Sequence, residues 1–200
     1  MIELDRSEQS APYIKFYSLY DKCINKNQNH PEAIAISTYD QPNQQTDIRY
    51  VNLKYIMGDK WIFFTNYNSS KAQQIEAHKK ISAAIYWDKI NIQIRLKGII
   101  EKTSESFSDS HFFKRQDEKN CIAVSSRQSE PISSYNKVVE NYKIALTNKD
   151  EILKKRPSYW GGYSLTPEVI EFWKGHNSRI NERELYVKKN DSWDCKILQP

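Results

Sequence analysis

The chain has 200 residues, of which 28% are charged, 38% hydrophobic and 12% aromatic. This length predicts one domain, and the aromatic share argues against a disordered chain, because disordered chains are poor in aromatic residues. No apolar run reaches the ~20 residues that a membrane-spanning helix needs. The net charge of +5 suits an anionic partner but does not choose among nucleic acid, a membrane surface and a phosphorylated small molecule, although the scattered basic residues argue against nucleic acid.

The N-terminus and the cysteines both predict a cytoplasmic protein. Residues 1–10 carry charged side chains and no apolar segment, so they do not resemble a secretory signal. Cys23, Cys121 and Cys195 lie far apart and form no C-x-x-C pair. Their odd number and wide spacing indicate reduced thiols rather than a disulfide framework.

An amphipathic helix is predicted near the N-terminus. Apolar residues recur every three to four positions over 12–26, and a polar loop follows from Asn25 to Pro31. We expect residues 1–30 to form an N-terminal helical segment and residues 31–200 to form a single domain.

Strand patterns dominate from residue 33 to residue 103. The predicted strands are Ala33–Thr38, Ile48–Met57, Trp61–Thr65, Ile81–Trp87 and Asn91–Thr103. A polar turn over 41–46 and a hairpin connection over 58–60 join the first three strands. Cap residues at 68–70 predict a helix over about 71–80. The unbroken alternation over 91–97 places Gln93, Arg95 and Lys97 on the polar face of a half-buried strand.

Helical patterns return after residue 104 and give way to strands at the C-terminus. Helical periodicity covers 105–115 and 132–146, and a charged connector covers 149–157. The last three predicted strands are Ile170–Lys174, Glu184–Lys188 and Trp193–Leu198. Many short strands joined by hairpins, with a few helices, indicate a mainly β protein of the α+β class. We expect an antiparallel barrel with helices packed outside it.

Several common catalytic and nucleotide-binding signatures are absent from the sequence. It contains neither a Walker motif nor a G-x-G-x-x-G motif, and the four histidines lack a metal-binding spacing, so we expect no metal site. Ser134 and Lys137 match the short S-x-x-K pattern. Because this pair is predicted to lie within a helix and lacks companion motifs, we assign it no catalytic role.

Two basic residues occupy positions where a phosphate group could bind. Lys71 falls in the first turn of a predicted helix, where free N–H groups and the helix dipole favour an anion. Arg49 lies on the strand whose hairpin partner leads into that helix, so both side chains could meet one phosphate. The alternative is a solvent-exposed lysine and an edge arginine. Arg49 and Lys54 would face opposite sides of a regular strand, so either a bulge intervenes or they serve different ligands.

A further candidate site lies near the C-terminus. Arg179 and Arg183 stand beside Trp173 in a predicted turn between two strands. An arginine can pair with a phosphate or carboxylate, or stack on a conjugated ring. A hairpin with a buried tryptophan and surface guanidinium groups is the alternative.

Together these segments resemble the pyridoxamine 5′-phosphate oxidase family of FMN-dependent enzymes. The match is carried by RYVNLK at 49–54, by FFTNYNSSK at 63–71, and by further motifs at 87, 93–98, 128–129, 160–163 and 171–183. Their order and spacing agree with the family pattern from residue 49 to residue 183. The resemblance implies an FMN-binding split β-barrel over residues 31–200, assembled as a homodimer with FMN at the subunit interface.

The resemblance also implies a role for each matching residue. The implied FMN contacts are Arg49, Tyr50, Val51, Asn52, Leu53, Lys54, Phe64, Thr65, Ser70, Lys71, Gln93, Gln128, Ser129, Trp173 and Arg183. The implied substrate contacts are Lys54, His111, Arg115, Lys119, Arg179 and Asn181, and Arg179 is the implied catalytic residue that holds the substrate ring.

Four of these positions depart from the residue that is usual in the family. Ser70 replaces an arginine, His111 a tyrosine, Lys119 a serine and Asn181 a histidine. The resemblance implies oxidation of the C4′ amine or alcohol of pyridoxamine or pyridoxine 5′-phosphate to pyridoxal 5′-phosphate, with O₂ as acceptor and H₂O₂ as product. The departures leave two alternatives open, an oxidase of the same fold acting on another conjugated ring, as in phenazine biosynthesis, and a non-catalytic flavin-binding module.

Overall fold

The computed structural model describes residues 1–200 as one nine-stranded sheet with six α-helices. In chain order the elements are β1 (Glu3–Leu4), α1 (Ala11–Asn25), β2 (Ala33–Asp40), β3 (Gln45–Met57), β4 (Lys60–Asn66), α2 (Ser70–Ala77), β5 (Lys80–Trp87), β6 (Ile92–Lys102), α3 (Glu105–Lys114), α4 (Asp117–Ser125), α5 (Tyr135–Thr147), α6 (Lys149–Ile152), β7 (Trp160–Lys174), β8 (Glu182–Lys189) and β9 (Ser192–Ile197). None of the helices combines the length and the apolar character that crossing a membrane requires.

Six strands close into an antiparallel barrel in the order β3, β2, β5, β6, β7, β4 and back to β3. Strand β7 is long enough to have two partners along one edge. Its residues 160–165 pair with β4, and its residues 169–174 pair with β8. The sheet therefore divides along β7, and β8 and β9 extend away from the closed barrel. This architecture confirms the predicted mainly β barrel with flanking helices.

The core fills the barrel and continues beneath α1. A single cluster of 27 buried residues includes side chains from α1 and from the barrel strands. Phe16 of α1 lies 4.6 Å from Trp61 and 5.6 Å from Trp87 between ring centroids, so the helix seals one end of the barrel. The predicted division between residues 1–30 and the rest of the chain stays a prediction. In the structure, α1 and the barrel share this one core.

Most predicted strands are present with shifted ends. Strand β3 begins at Gln45, before the predicted start at Ile48. Helix α2 ends at Ala77, before the predicted end near residue 80, where β5 begins. The strand predicted from Ile170 starts at Trp160 instead. Residues 160–165 are all buried, so this part of β7 lacks the alternation of a half-buried strand.

Two helices differ from the prediction for identifiable reasons. Helix α4 was not predicted because its buried residues are Asn120 and Cys121, which give no apolar periodicity. Ser134 and Lys137 were both predicted to lie within a helix, but only Lys137 does, in α5. Ser134 is the N-cap of α5, and its hydroxyl accepts a hydrogen bond from the Lys137 backbone N–H at 3.2 Å.

Candidate functional site

A cavity of about 300 Å³ opens between β3, β4, α3 and α4. It is lined by Tyr50, Val51, Asn52, Lys54, Phe64, Thr65, Asn66, Lys71, His111, Arg115, Ile122, Ala123, Ser126, Gln128 and Trp160. Ten of these fifteen residues belong to the sets predicted to contact FMN or substrate. The strand pairing and the helix packing thus bring together segments that lie far apart along the chain.

Lys71 is a buried cation at one end of the cavity. Its side chain is 7% exposed, and Nζ donates to Thr65 Oγ1 and to Ser69 Oγ, both at 3.2 Å. Burial and the positive charge of Arg49 lower the pKa of Lys71 to about 8. No carboxylate lies within ion-pair distance of Lys71, so a bound anion would stabilise its charged form.

Arg49 lies beside Lys71 without lining the cavity. Its guanidinium donates to Thr38 Oγ1 at 2.5 Å and to Gln74 Oε1 at 3.2 Å, and it forms an ion pair with Asp47. The structure therefore places both predicted phosphate ligands beside α2, Lys71 in its first turn and Arg49 against Gln74, although Arg49 is already paired with the carboxylate of Asp47.

A β-bulge brings Lys54 to the cavity. In the pairing of β3 with β4, Leu53 lies opposite Phe63 and Tyr55 lies opposite Ile62, which leaves Lys54 as the extra residue. A bulge between Arg49 and Lys54, one of the two predicted alternatives, is therefore present, although Arg49 does not line the cavity that Lys54 lines. Leu53, a predicted FMN contact, lies just before the bulge and its side chain is buried in the core.

Lys54, Arg115 and Lys119 form a cationic cluster at the other end of the cavity. Burial lowers the pKa of Lys54 against the effect of Glu32, and the charges of Lys119 and Arg115 lower it further. The three cations form no ion pair within the chain, and Lys119 stands exposed outside the cavity lining. Like charges without a counter-ion favour an anionic ligand.

The wall between the two cationic ends is aromatic. The Phe64 ring stacks on His111 at 3.7 Å and on Trp160 at 5.4 Å between centroids. The Arg115 guanidinium lies 5.1 Å from the Trp160 ring centroid, within cation–π range. Such a wall would pack against a flat conjugated ring.

His111 is a neutral part of this wall. Tyr55 Oη lies 2.8 Å from His111 Nδ1. Burial, followed by the charges of Arg115 and Lys54, lowers the pKa of His111 to about 4. His111 therefore adds no positive charge near neutral pH. Tyr55 was not predicted as a site residue, because it lies just outside the RYVNLK motif and its contact with His111 leaves no local sequence signal.

The loop after α4 closes the cavity near Lys71. Gln128 Oε1 accepts hydrogen bonds from Thr65 Oγ1 at 3.1 Å and from the Asn66 backbone N–H at 3.3 Å. Ser129 has a φ of 76°, in the left-handed region that residues other than glycine rarely adopt. Ser70, at the start of α2, is exposed and does not line the cavity.

A second group of predicted FMN contacts lies outside the cavity, where β6, β7 and β8 run side by side. Gln93 is opposite Trp173, and Trp173 is opposite Arg183. Arg183 Nε donates to a Glu171 carboxylate oxygen at 2.9 Å, and Arg95 binds the other oxygen of that carboxylate at 3.0 Å. The residues implied to bind FMN therefore form two separate groups within one chain.

Arg179 and Asn181 lie in the turn between β7 and β8, also outside the cavity. Arg179 is exposed and has a φ of 63°. Asn181 Oδ1 accepts a hydrogen bond from the His176 backbone N–H at 3.0 Å. Within one chain, the structure therefore does not bring these two residues together with Lys54 and His111, the predicted substrate contacts that line the cavity.

Protein-family models match most of the chain. A model described as "Pyridoxamine 5′-phosphate oxidase" matches residues 21–141, and one described as "Pyridoxine 5′-phosphate oxidase C-terminal dimerisation region" matches residues 160–200. Together with the barrel, these matches define an oxidoreductase of the FMN-binding split-barrel class. The chain belongs to the pyridoxamine 5′-phosphate oxidase family.

Curated relatives and solved structures agree with this family. The pyridoxine/pyridoxamine 5′-phosphate oxidase of Nostoc sp. (strain PCC 7120) is 36% identical over 191 residues, which cover 94% of this chain and 88% of the relative. The protein of that name from Legionella pneumophila (strain Lens) is 32% identical over 208 residues, which cover 99% of this chain and 93% of the relative.

Two solved structures share the fold. PhzG from Burkholderia lata, in complex with tetrahydrophenazine-1-carboxylic acid, has a TM-score of 0.89 at 23% identity and covers 97% of this chain and 95% of its own. A pyridoxamine 5′-phosphate oxidase-related, FMN binding protein from Nostoc punctiforme has a TM-score of 0.77 at 15% identity. The match covers 95% of this chain and 98% of that protein. At these identities the likeness concerns the fold alone.

Proposed function

We propose that this chain is an FMN-dependent oxidase that converts pyridoxamine or pyridoxine 5′-phosphate to pyridoxal 5′-phosphate, with O₂ as acceptor and H₂O₂ as product. When the substrate is the amine, hydrolysis consumes one water and releases ammonia. The observation that carries the proposal is the cavity with a cationic group at each end and an aromatic wall between them. Two phosphorylated conjugated rings, FMN and a substrate of the vitamin B6 type, match that arrangement. The names of the curated relatives support the same reaction.

The residues around Lys71 fit the phosphate of FMN. Lys71 is buried without a carboxylate partner, and it sits in the first turn of an eight-residue helix whose free N–H groups favour an anion. Arg49 would add a second positive charge. Ser70 would add a hydroxyl where an arginine is usual in the family, and so would supply no charge.

Lys54 and Arg115 would hold the phosphate of the substrate at the opposite end. Their charges repel each other and Lys119 in the protein alone, and a dianionic phosphate relieves that repulsion. Bound FMN would supply the redox chemistry by accepting a hydride from the substrate C4′ carbon. The side chains would orient the substrate and hold its charge, and none need act as a nucleophile.

We infer that a homodimer completes the site. Gln93, Trp173 and Arg183 would reach FMN, and Arg179 and Asn181 would reach the substrate, from the chain that does not supply Lys71. The match of residues 160–200 to a dimerisation region supports this assembly. In it, Arg179 would hold the substrate ring in a reactive position.

A second candidate is an oxidase acting on a different conjugated ring, of the phenazine type. His111, Lys119 and Asn181 are the changed substrate positions, and the fold likeness to PhzG makes this candidate worth testing. A third candidate is a flavin-binding module without catalysis.

Anaerobic mixing of the purified protein with pyridoxamine 5′-phosphate separates these candidates. We expect a yellow protein whose visible flavin absorbance bleaches on mixing and returns when O₂ is admitted, with release of H₂O₂ and pyridoxal 5′-phosphate. Bleaching by a reduced phenazine carboxylate but not by the B6 substrates would favour the second candidate. A yellow protein that no candidate substrate reduces would favour the third.

A further inference from the structure

His111 is an implied substrate contact, but Tyr55, to which it is hydrogen-bonded, has no role yet in the proposed reaction. Tyr55 is 8% exposed, does not line the cavity and sits directly after the bulged Lys54, so the bulge sets the position of its ring. Its ring is packed edge-on against Phe107 at 5.4 Å and Phe64 at 6.1 Å between centroids. The phenol is therefore held firmly, with its oxygen 2.8 Å from His111 Nδ1.

The hydrogen-bonding groups of the pair determine which His111 nitrogen carries the proton. Tyr55 Oη has no other hydrogen-bond partner in the chain. If Nδ1–H donated to the phenol oxygen, the phenol O–H would be left without an acceptor in a mostly buried position, which is costly. This cost favours the phenol as the donor to Nδ1, with the proton of the neutral imidazole on Nε2.

His111 Nε2 is the free end of this arrangement. It makes no hydrogen bond within the chain and is not sealed from solvent, and His111 lines the cavity beside Lys54 and Arg115. A charged imidazole there would add to the repulsion among Lys54, Arg115 and Lys114, which together with burial lowers its pKa to about 4. A neutral N–H group can donate to an anion without that cost.

We propose that Tyr55 is a positioning residue that holds His111 as a neutral Nε2–H donor to the anionic group of the ligand, beside Lys54 and Arg115. This role rests on the proposed function only in requiring that a phosphate-like anion binds in the cavity. The Phe64 ring, stacked on His111 at 3.7 Å, holds the imidazole in its plane, and the hydrogen bond to Tyr55 opposes a flip of the ring within that plane. Tyr55 thus selects the tautomer, and Phe64 fixes the plane of the ring.

The tautomer can be read directly by long-range ¹H–¹⁵N correlation spectra of the full-length, ¹⁵N-labelled protein. The chain has four histidines, so the His111 signal is identified by its loss in His111→Gln. We expect unprotonated Nδ1 and protonated Nε2 in the wild type, and a mixture of tautomers in Tyr55→Phe, which keeps the ring but loses the donor. A wild-type Nδ1–H tautomer, or an unchanged tautomer in Tyr55→Phe, would overturn the proposal.

Tyr39→Phe is a matched control for this experiment. Tyr39 also contacts a histidine, with its ring edge-on to His78 at 5.9 Å, but no hydrogen bond joins them and neither residue lines the cavity. The tautomer of His111 should be unchanged in this variant. A change equal to that in Tyr55→Phe would show a general effect on the fold and would overturn the proposal.

Binding of inorganic phosphate to the FMN-saturated protein tests whether the Nε2–H tautomer of His111 contributes a hydrogen bond to a bound anion. We expect Tyr55→Phe to weaken phosphate binding about threefold to tenfold, because part of the population loses a hydrogen bond to a charged group. In a His111→Tyr background the donor no longer depends on a tautomer, so Tyr55→Phe should have no further effect. An equal weakening in both backgrounds would mean that Tyr55 acts only through packing, which contradicts the proposal.

These readouts do not depend on turnover. A protein that shows the expected tautomer and phosphate binding but fails to oxidise pyridoxamine 5′-phosphate would contradict the proposed reaction alone. An active oxidase with the wrong His111 tautomer would contradict only the role of Tyr55.

Discussion

Two regions of the molecule carry basic residues but differ in how the charges are balanced. One is the cavity lined by β3 and α4, and the other is the region around Glu171 where β6, β7 and β8 pair. In the cavity, Lys71, Lys54 and Arg115 have no carboxylate partner within the chain. At the strand ends, Glu171 is 6% exposed and binds both Arg95 and Arg183. The first region has positive charge available for a ligand, whereas much of the charge in the second is already compensated.

In the proposed dimer, the two regions would make different contributions to one ligand site. Residues with uncompensated charge would supply most of the binding energy for phosphate groups. Trp173 and Arg183, held in register across β7 and β8, would supply shape and orientation. The changes below are chosen to separate charge from positioning, starting with the largest expected effect.

Lys71→Met should have the largest effect on cofactor binding. The substitution removes a buried cation while it keeps most of the side-chain volume, so we expect FMN affinity to fall about tenfold to a hundredfold, as for loss of a charged hydrogen bond. Fluorescence titration of the flavin-free protein with FMN measures this. Lys137→Met, which removes an exposed lysine paired with Glu140, is the control and should bind FMN normally. Equal affinities in the two variants would remove Lys71 from the site.

Arg179→Ala should separate catalysis from cofactor binding. Because Arg179 is proposed to hold the substrate ring and is not among the proposed FMN contacts, kcat should fall at least about tenfold, while flavin content stays at the wild-type level. Steady-state oxidation of pyridoxamine 5′-phosphate and the flavin absorbance of each preparation provide the two values. Unchanged turnover would exclude Arg179 from the reaction.

The affinity for FMN should decline in alkaline solution because of Lys71. The pKa of Lys71 is lowered to about 8 in the protein alone, and the FMN phosphate stabilises the protonated amine. Binding above that pKa therefore requires proton uptake, and the affinity should fall by up to about tenfold per pH unit. In Lys71→Met this dependence should disappear. A wild-type affinity that is flat or rises through this range would contradict the assignment.

Lys119→Ser should have the smallest effect. Lys119 is exposed, lies outside the cavity lining and acts on Lys54 only through its charge, so solvent screens its attraction for a ligand. We expect the KM for a phosphorylated substrate to rise about twofold to threefold at low salt, and the difference to vanish at high salt. A large change in kcat would instead place Lys119 in contact with the reacting groups.

The sequence predicts those parts of the fold that leave a local pattern. Strand β6 alternates between buried and exposed residues, so its extent and the exposure of Arg95 and Lys97 follow from the sequence. The first part of β7 is buried throughout and gives no such pattern. Helix α4 lacks an apolar stripe and was missed for the same reason.

The site is predictable only where its residues belong to motifs. The cavity positions of Lys54, Thr65 and Lys71 agree with the motif assignment, although their ligand roles stay predictions. The pairing of Tyr55 with His111 depends on a bulge and on the docking of α3, and neither feature has a local sequence signal. The division of the FMN contacts between two groups likewise depends on the strand order and not on spacing along the chain.

The central claim, that two chains share each flavin site, is tested most directly with hybrid dimers. Lys71→Met and Arg183→Met chains with different affinity tags are co-expressed, and dimers that carry both tags are isolated. Each variant alone should be poor in flavin, whereas each hybrid should contain one intact site of two and bind about half the wild-type FMN. Hybrids as flavin-poor as the parents, or an Arg183→Met homodimer with full flavin, would contradict the account.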